Sequence, residues 1–276
     1  MPKRYSTARG REFGDGLRAA IAATGMTARA IAEIVDWNEA KVSDAANGKG
    51  GITELELALL LGACRTPSAE RVHLQKLFIA TSVRGWLQEH GSVEPIMPRT
   101  LVEHEAKAKT LMSWQPLLVH GLLQIPEYAR AVITANPNVP ADEVEKRVAA
   151  RAERQKGLQS RLRATFYLHE SVLRAQIGGE EVMRRQLEHV LKVAERPYVV
   201  VRVVATSAGA HAGHAGAFDL LKFDKIEPVV FVESENASLI IESALPLKSY
   251  DAVAESLGRT ALDAEQSRRL IKDIAG

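Results

Sequence analysis

Residues 27–48 read TARAIAEIVDWNEAKVSDAANG, and this stretch decides how the N-terminal part of the chain folds. Apolar or small residues fall at Ile31, Ala32 and Val35 and again at Val42 and Ala45, so two short helical segments each present one narrow stripe for burial. Asp36, Trp37 and Asn38 interrupt the period between them. Asp36 is a residue type that tolerates the left-handed backbone closing a helix, and Asn38 is a good N-cap for the next one. Ala32 is small enough to let the second helix cross close over the first. The outer face of that second helix, 39–47, is then left free.

Working outward, residues 11–24 place Phe13, Leu17, Ala20 and Ile21 on one helical face with Arg18 on the other, and Gly25 ends the run. Beyond the Lys49-Gly50-Gly51 loop, Thr53 followed by Glu54 and Glu56 marks a helix start that runs to Ala63. Thr66-Pro67-Ser68 punctuates, and 69–80 continues as a helix with Val72, Leu74, Leu77 and Phe78. Five helices over 1–80 with a tight turn between the second and third form a helix-turn-helix domain.

On these residues the stretch resembles the Cro/repressor-like (XRE-type) helix-turn-helix family: Thr27 opens helix two, Ala32 sits at the crossing, Trp37 in the turn, Lys41-Val42-Ser43 in the recognition helix, and Asn47-Gly48 closes it. The resemblance implies an all-α domain whose third helix lies in the DNA major groove. The DNA-contact set it implies is Thr27, Arg29, Trp37, Asn38, Glu39, Lys41, Ser43, Asp44, Asn47 and Lys49. Three departures stand out. Ala28 replaces the usual Gln, Asp36 the usual Gly, and Ser43-Asp44-Ala45-Ala46 a Ser-Arg-Ile-Glu-like run, so Asp44 sits where a cation would touch phosphate or a guanine edge. Residues 1–65 hold nine cations against eight acids, a near-neutral balance for a module whose affinity rests on phosphate neutralisation. A monomer should bind weakly, and pairing on adjacent half-sites restores affinity. Lys3, Arg4 and Arg9 make residues 1–10 a basic arm, either a solvated tail or one that tracks phosphates.

The 276 residues, 46% hydrophobic and 25% charged with net charge +2, suffice for two ordinary domains and imply no strongly basic surface. The single cysteine, Cys64, excludes an internal disulfide framework and fits a reducing compartment. It follows the run Leu57-Ala58-Leu59-Leu60-Leu61-Gly62-Ala63 and reads as a small buried hydrophobe. The charged start lacks an apolar run behind it, and no uninterrupted apolar stretch is long enough to span a bilayer. The expectation is a cytoplasmic protein with no membrane association.

Residues 81–113 read as a helical connector with Trp86 and, just beyond it, Trp114 as packing anchors. Residues 115–130, QPLLVHGLLQIPEYAR, read as a turn, a short helix and a Pro-initiated helix, packed by Leu117, Leu118, Leu122 and Leu123. This run resembles the PxLVPGLLQTPxYAR signature of a C-terminal domain, formally of unknown function, found behind XRE-type domains in actinobacterial regulators. His120 stands where Pro is usual and Ile125 where Thr is usual. Residues 140–160 form a charged helix on which Arg147, Arg151 and Arg154 read as a solvated, salt-bridged face. A strand at 164–169, helix over 171–196 broken at Gly178-Gly179, a β-branched strand at 198–205 placed centrally, and short strands at 217–223, 229–233 and 238–242 follow. Helices over 247–257 and 264–274 close the chain. Residues 114–276 are therefore an α+β domain with a mostly antiparallel sheet.

His211 and His214 in the Gly-rich loop 207–213 and after it mark a candidate ligand or partner loop; with no cysteine near and no helix fixing their spacing, a metal is not expected. His169, Glu170 and Ser171 are expected to point apart at a strand end. No nucleophile elbow, dinucleotide fingerprint or zinc-protease motif occurs, so neither an enzyme nor a cofactor is expected. The two resemblances together imply a transcriptional regulator binding double-stranded DNA, acting as a homodimer and with a small partner protein from a neighbouring gene, in development or specialised metabolism. Two other readings stay open: a regulator whose C-terminal domain binds a small molecule, and an interaction module with weakened DNA contact.

Overall fold

The computed structural model describes residues 8–80, 86–89, 99–158, 162–224, 226–234 and 237–276. The chain divides into two compact units, Met1–Trp86 and Leu87–Gly276. Residues 1–7 of the basic arm expected at 1–10 and the Trp86 side chain lie outside the described residues, while residues 8–10 are not an arm but the start of the first helix.

The first unit is helical: α1 (Ala8–Ala23), α2 (Ala28–Ile34), α3 (Glu39–Ala46), α4 (Glu54–Ala63) and α5 (Ser68–Ala80). Each of α2, α3 and α4 begins where a side chain satisfies an orphan backbone donor. Thr27 accepts from the Ala30 N–H, Asn38 from the Lys41 N–H at 2.8 Å, and Thr53 and Glu56 form a reciprocal capping box. Asp36 closes the α2 turn with φ 54°, the left-handed conformation open to Asp at modest cost. Phe13, Leu17, Ile31, Ala32, Val42, Ala45, Leu57, Leu60, Leu61, Cys64 and Leu74 are buried together in one core.

The second unit is built on a seven-stranded sheet in the order β1-β7-β6-β5-β2-β3-β4, with β1 (Trp86–Glu89), β2 (Thr110–Gln115), β3 (Arg163–His169), β4 (Val199–Val204), β5 (Phe218–Lys222), β6 (Val229–Glu233) and β7 (Ala237–Ile241). Pairings β2–β5, β5–β6 and β6–β7 are antiparallel, and β2–β3 and β3–β4 are parallel. Its helices are α6 (Arg99–Lys107), α7 (Pro126–Thr134), α8 (Val144–Gln155), α9 (Glu170–Arg174), α10 (Glu180–Val193), α11 (Ala244–Thr260) and α12 (Ala264–Ala275). Trp114, Phe166, Leu168, Val203, Leu221 and Ile240 are among its fully enclosed apolar side chains. No helix among the described residues is long and apolar enough to cross a membrane.

Several expectations change. The described residues of the stretch read as a helical connector hold strand β1, helix α6 and the start of β2 at Thr110, so it is not purely helical. The strand placed centrally, β4, is at the sheet edge. Its apolar character has another cause: the Val203 carbonyl accepts from the Leu262 N–H at 2.9 Å and its N–H donates to the Ser267 hydroxyl at 2.9 Å, so the start of α12 and the turn before it cover that edge. Leu117, expected in the packing of the signature stretch, is 77% exposed, whereas Leu122 and Leu123 are buried.

Candidate functional sites

The surface predicted for DNA contact forms in the first unit. Glu39, Ser43, Asp44 and Asn47 are exposed along α3, with Lys49 exposed just beyond it and Arg29 exposed on α2. Thr27 and Asn38 serve as the two helix caps, and Trp37 packs against the helical core. The Asn47 side chain turns back on Ser43, donating to its carbonyl at 2.8 Å and meeting its hydroxyl at 3.3 Å. The cations of this surface each face an acid: Arg29 lies 3.4 Å from Glu33, Lys49 lies 3.2 Å from Asp44, and Lys41 is ion-paired with Glu56 while its ammonium sits 4.6 Å from the Trp37 ring centroid. The Lys41 hydrogen bond, then the Thr53 N–H, holds the Glu56 carboxyl below its ordinary value.

In the second unit, the chain at 116–125 between β2 and α7 has no ladder of its own, so side chains satisfy its backbone. The Tyr128 hydroxyl accepts from the Val119 N–H at 3.1 Å and the Gln124 amide donates to the Val119 carbonyl at 2.7 Å. Gln155 donates to the Gly121 and Gln124 carbonyls, while Gln186 accepts from the Ile125 N–H and donates to the Leu123 carbonyl. Beneath this lies a buried ionic network. Arg154 pairs with both oxygens of Glu105, Arg151 donates to Gln124 at 2.8 Å, and His120 Nε2 lies 3.2 Å from Asp219. Burial pushes the Asp219 carboxyl up, but His120, Ser113 and Arg154 outweigh it and leave the group below its usual value. Arg151 and Arg154 therefore do not form the solvated face expected of α8. They point inward because their acceptors, Gln124 and Glu105, lie on other elements.

Glu105, His120 and Asp219 each bring one donor atom within 4.8 Å of the others, close enough to suggest a metal. The hydrogen bonding argues otherwise. His120 Nδ1 accepts the Leu122 N–H at 3.1 Å, so the ring proton is on Nε2, aimed at Asp219. A metal-binding imidazole does the reverse, donating its second N–H to an acceptor. Both Glu105 oxygens are also taken by Arg154. The set is an imidazole–carboxylate–guanidinium network that does not fit a metal ion.

His211 and His214 do come together. Their rings stack at 4.1 Å and 24°, His169 stacks on His211 at 5.9 Å, and the Trp114 ring meets His211 edge-on at 5.3 Å. Trp114 Nε1 donates to the Gly213 carbonyl at 2.8 Å, tying the loop to the core. His169 and Ser171 do not point apart as expected: Nδ1 lies 2.6 Å from the hydroxyl and also accepts the Ser171 N–H at 3.2 Å. This makes His169 the N-cap of α9, its Nδ1 taken by a backbone donor.

A family pattern described as "Domain of unknown function (DUF5753)" matches residues 98–273, well over half of the chain. The chain belongs to the DUF5753 family. The DUF5753 domain covers α6 and nearly all that follows, including the ionic network and the histidine loop. No match is found among curated proteins or among solved structures. His120 was visible in the sequence as a departure from the signature proline, but its partner Asp219 lies 99 residues away and nothing local signalled it.

Proposed function

We propose that this DUF5753 protein is a sequence-specific DNA-binding transcriptional regulator of the XRE type, reading double-stranded DNA with α3. The observation that carries this is the α2–α3 pair: two short helices, individually capped by Thr27 and Asn38, joined through left-handed Asp36, with Glu39, Ser43, Asp44 and Asn47 exposed on the second. Action as a homodimer, together with a small partner protein, suits a surface whose cations are largely offset by acids. That same offset favours a second reading, an interaction module with weakened DNA contact.

The test is selection of duplexes from a random-sequence pool by purified protein, alone and with the neighbouring small gene product. Enrichment of one sequence, lost on Ser43→Ala/Asn47→Ala substitution at unchanged melting temperature, supports the regulator. Failure to enrich any sequence under both conditions, at low salt, favours the interaction module.

A further inference from the structure

Lys41 stands in the first turn of α3, and its ammonium is held on two sides. The Trp37 ring lies beneath it at 4.6 Å, and the Glu56 carboxylate takes its proton donor. The two side chains keep only 29% and 28% of their exposure. Glu56 is not free to follow the lysine outward. Its second oxygen accepts the Thr53 N–H at 2.7 Å, the return half of the capping box that starts α4. The acceptor is thus anchored by a bond in another element, and little conformational freedom is lost when Lys41 meets it. The other two pairs differ. Arg29–Glu33 and Lys49–Asp44 are well exposed, with side chains at 77%/70% and 49%/55%, and exposed pairs of that kind contribute little.

Resting on the reading of α3 as the DNA-facing helix, we propose that Glu56 sets DNA affinity by competing with the duplex for Lys41. In the free protein the lysine serves as a bridge from α3 to α4. On DNA it exchanges the carboxylate for a phosphate or base edge, and the released Glu56 charge then faces the phosphates. Binding is weaker than Lys41, the one cation of α3, would otherwise give. Nothing in the Lys41 stretch by itself reveals this, because the competitor lies 15 residues further on.

Glu56→Gln isolates the effect, since Gln at this helix position also completes a capping box while removing the charge that holds Lys41. The probe is a duplex enriched from a random pool by the wild-type protein, titrated at low and high salt by fluorescence anisotropy. Glu56→Gln should bind about fivefold tighter at low salt, with the gain shrinking as salt rises. The same substitution in a Lys41→Ala background, where only the repulsion between Glu56 and the phosphates is relieved, should give a clearly smaller gain, closing a double-mutant cycle. Equal tightening in both backgrounds would reduce the effect to loss of one surface charge and overturn the inference, as would no tightening at matched melting temperatures. Failure of the DNA reading itself looks different: no duplex is enriched and no variant, Glu56→Gln included, binds at low salt, and the inference falls with it.

Discussion

Arg154 and Glu105 face each other through a two-point contact, guanidinium to carboxylate, with each side chain only 7% exposed. A pair this enclosed is held by mutual dependence more than by net gain, because removing one partner strands the other's charge away from water. Glu105→Ala should therefore cost about 3 kcal/mol of stability, the lower part of the usual range because Glu233 and then Asp219 also act on Arg154. Glu105→Gln, which keeps one acceptor, should cost less. Replacing both residues by Leu and Met should restore much of the loss, since apolar substitutes of similar volume carry no desolvation cost. Urea unfolding of the four proteins checks the ordering, and a double substitution as damaging as Glu105→Ala would show that the network does more than satisfy itself.

Gly48 ends α3 with φ +66°, and a Cβ there would lie 1.9 Å from the Gly10 carbonyl oxygen of α1. Gly50, two residues on, has φ +77° but open space around it. The pair separates backbone strain from steric contact. Gly50→Ala should cost about 1 kcal/mol, the left-handed penalty alone. Gly48→Ala should cost about 3 kcal/mol, because α1 and α3 must also part. Equal melting temperatures for the two variants would mean that the α1–α3 approach is not tight.

What the sequence made legible was chemistry confined to a few neighbouring residues. Thr27, Asp36, Asn38 and the Thr53–Glu56 box each act within four positions, and each does in the structure what its residue type predicts. The DUF5753 match over 98–273 takes in residues 115–130. Hidden features are those whose partners arrive from far along the chain. Arg151 and Arg154 look like a charged helix face until Gln124 and Glu105 are placed opposite them. Strand β2 is hidden in the sequence because Ser113 is fully buried among its apolar neighbours, which spoils the alternation that marks a strand. The edge position of β4 is hidden because Leu262 and Ser267, about sixty residues later, supply the cover that a neighbouring strand would have supplied.

Asn38 offers a clean measure of one such local device. Its side-chain oxygen accepts the Lys41 N–H at 2.8 Å, so Asn38→Ala should lower stability by about 1 kcal/mol and Asn38→Asp should not. Because the cap fixes the first turn of α3, where Lys41 stands, Asn38→Ala should also raise amide hydrogen exchange from Glu39 to Ser43 ahead of the rest of the helical unit. Uniform acceleration across all five helices would instead mean that α3 opens only with the whole unit.

The histidine loop ties its stability to protons. Burial, then the neighbouring His214 and His169, depresses the His211 pKa. Its Nδ1 accepts the Gly213 N–H at 3.1 Å, so the proton must enter at the nitrogen that holds the turn seated on Trp114. Among the described residues no carboxylate acts on His211: Glu170 is engaged by the Thr206 N–H and Arg174, and on α11, which packs on this turn, Asp251 is paired with Lys222. A base whose folded pKa lies below its unfolded value binds more protons when unfolded. Its contribution is full above the unfolded value of about 6.5 and is lost as pH falls through the lower folded one. His211→Asn keeps an acceptor suited to the cap and removes the titration. The stability lost between about pH 7.5 and about pH 5 should therefore be smaller in His211→Asn than in wild type. Trp114 emission, which His169 also faces edge-on at 6.4 Å, should change less over that range in the variant than in the wild type, and identical pH profiles for the two proteins would show that the loop is indifferent to this proton.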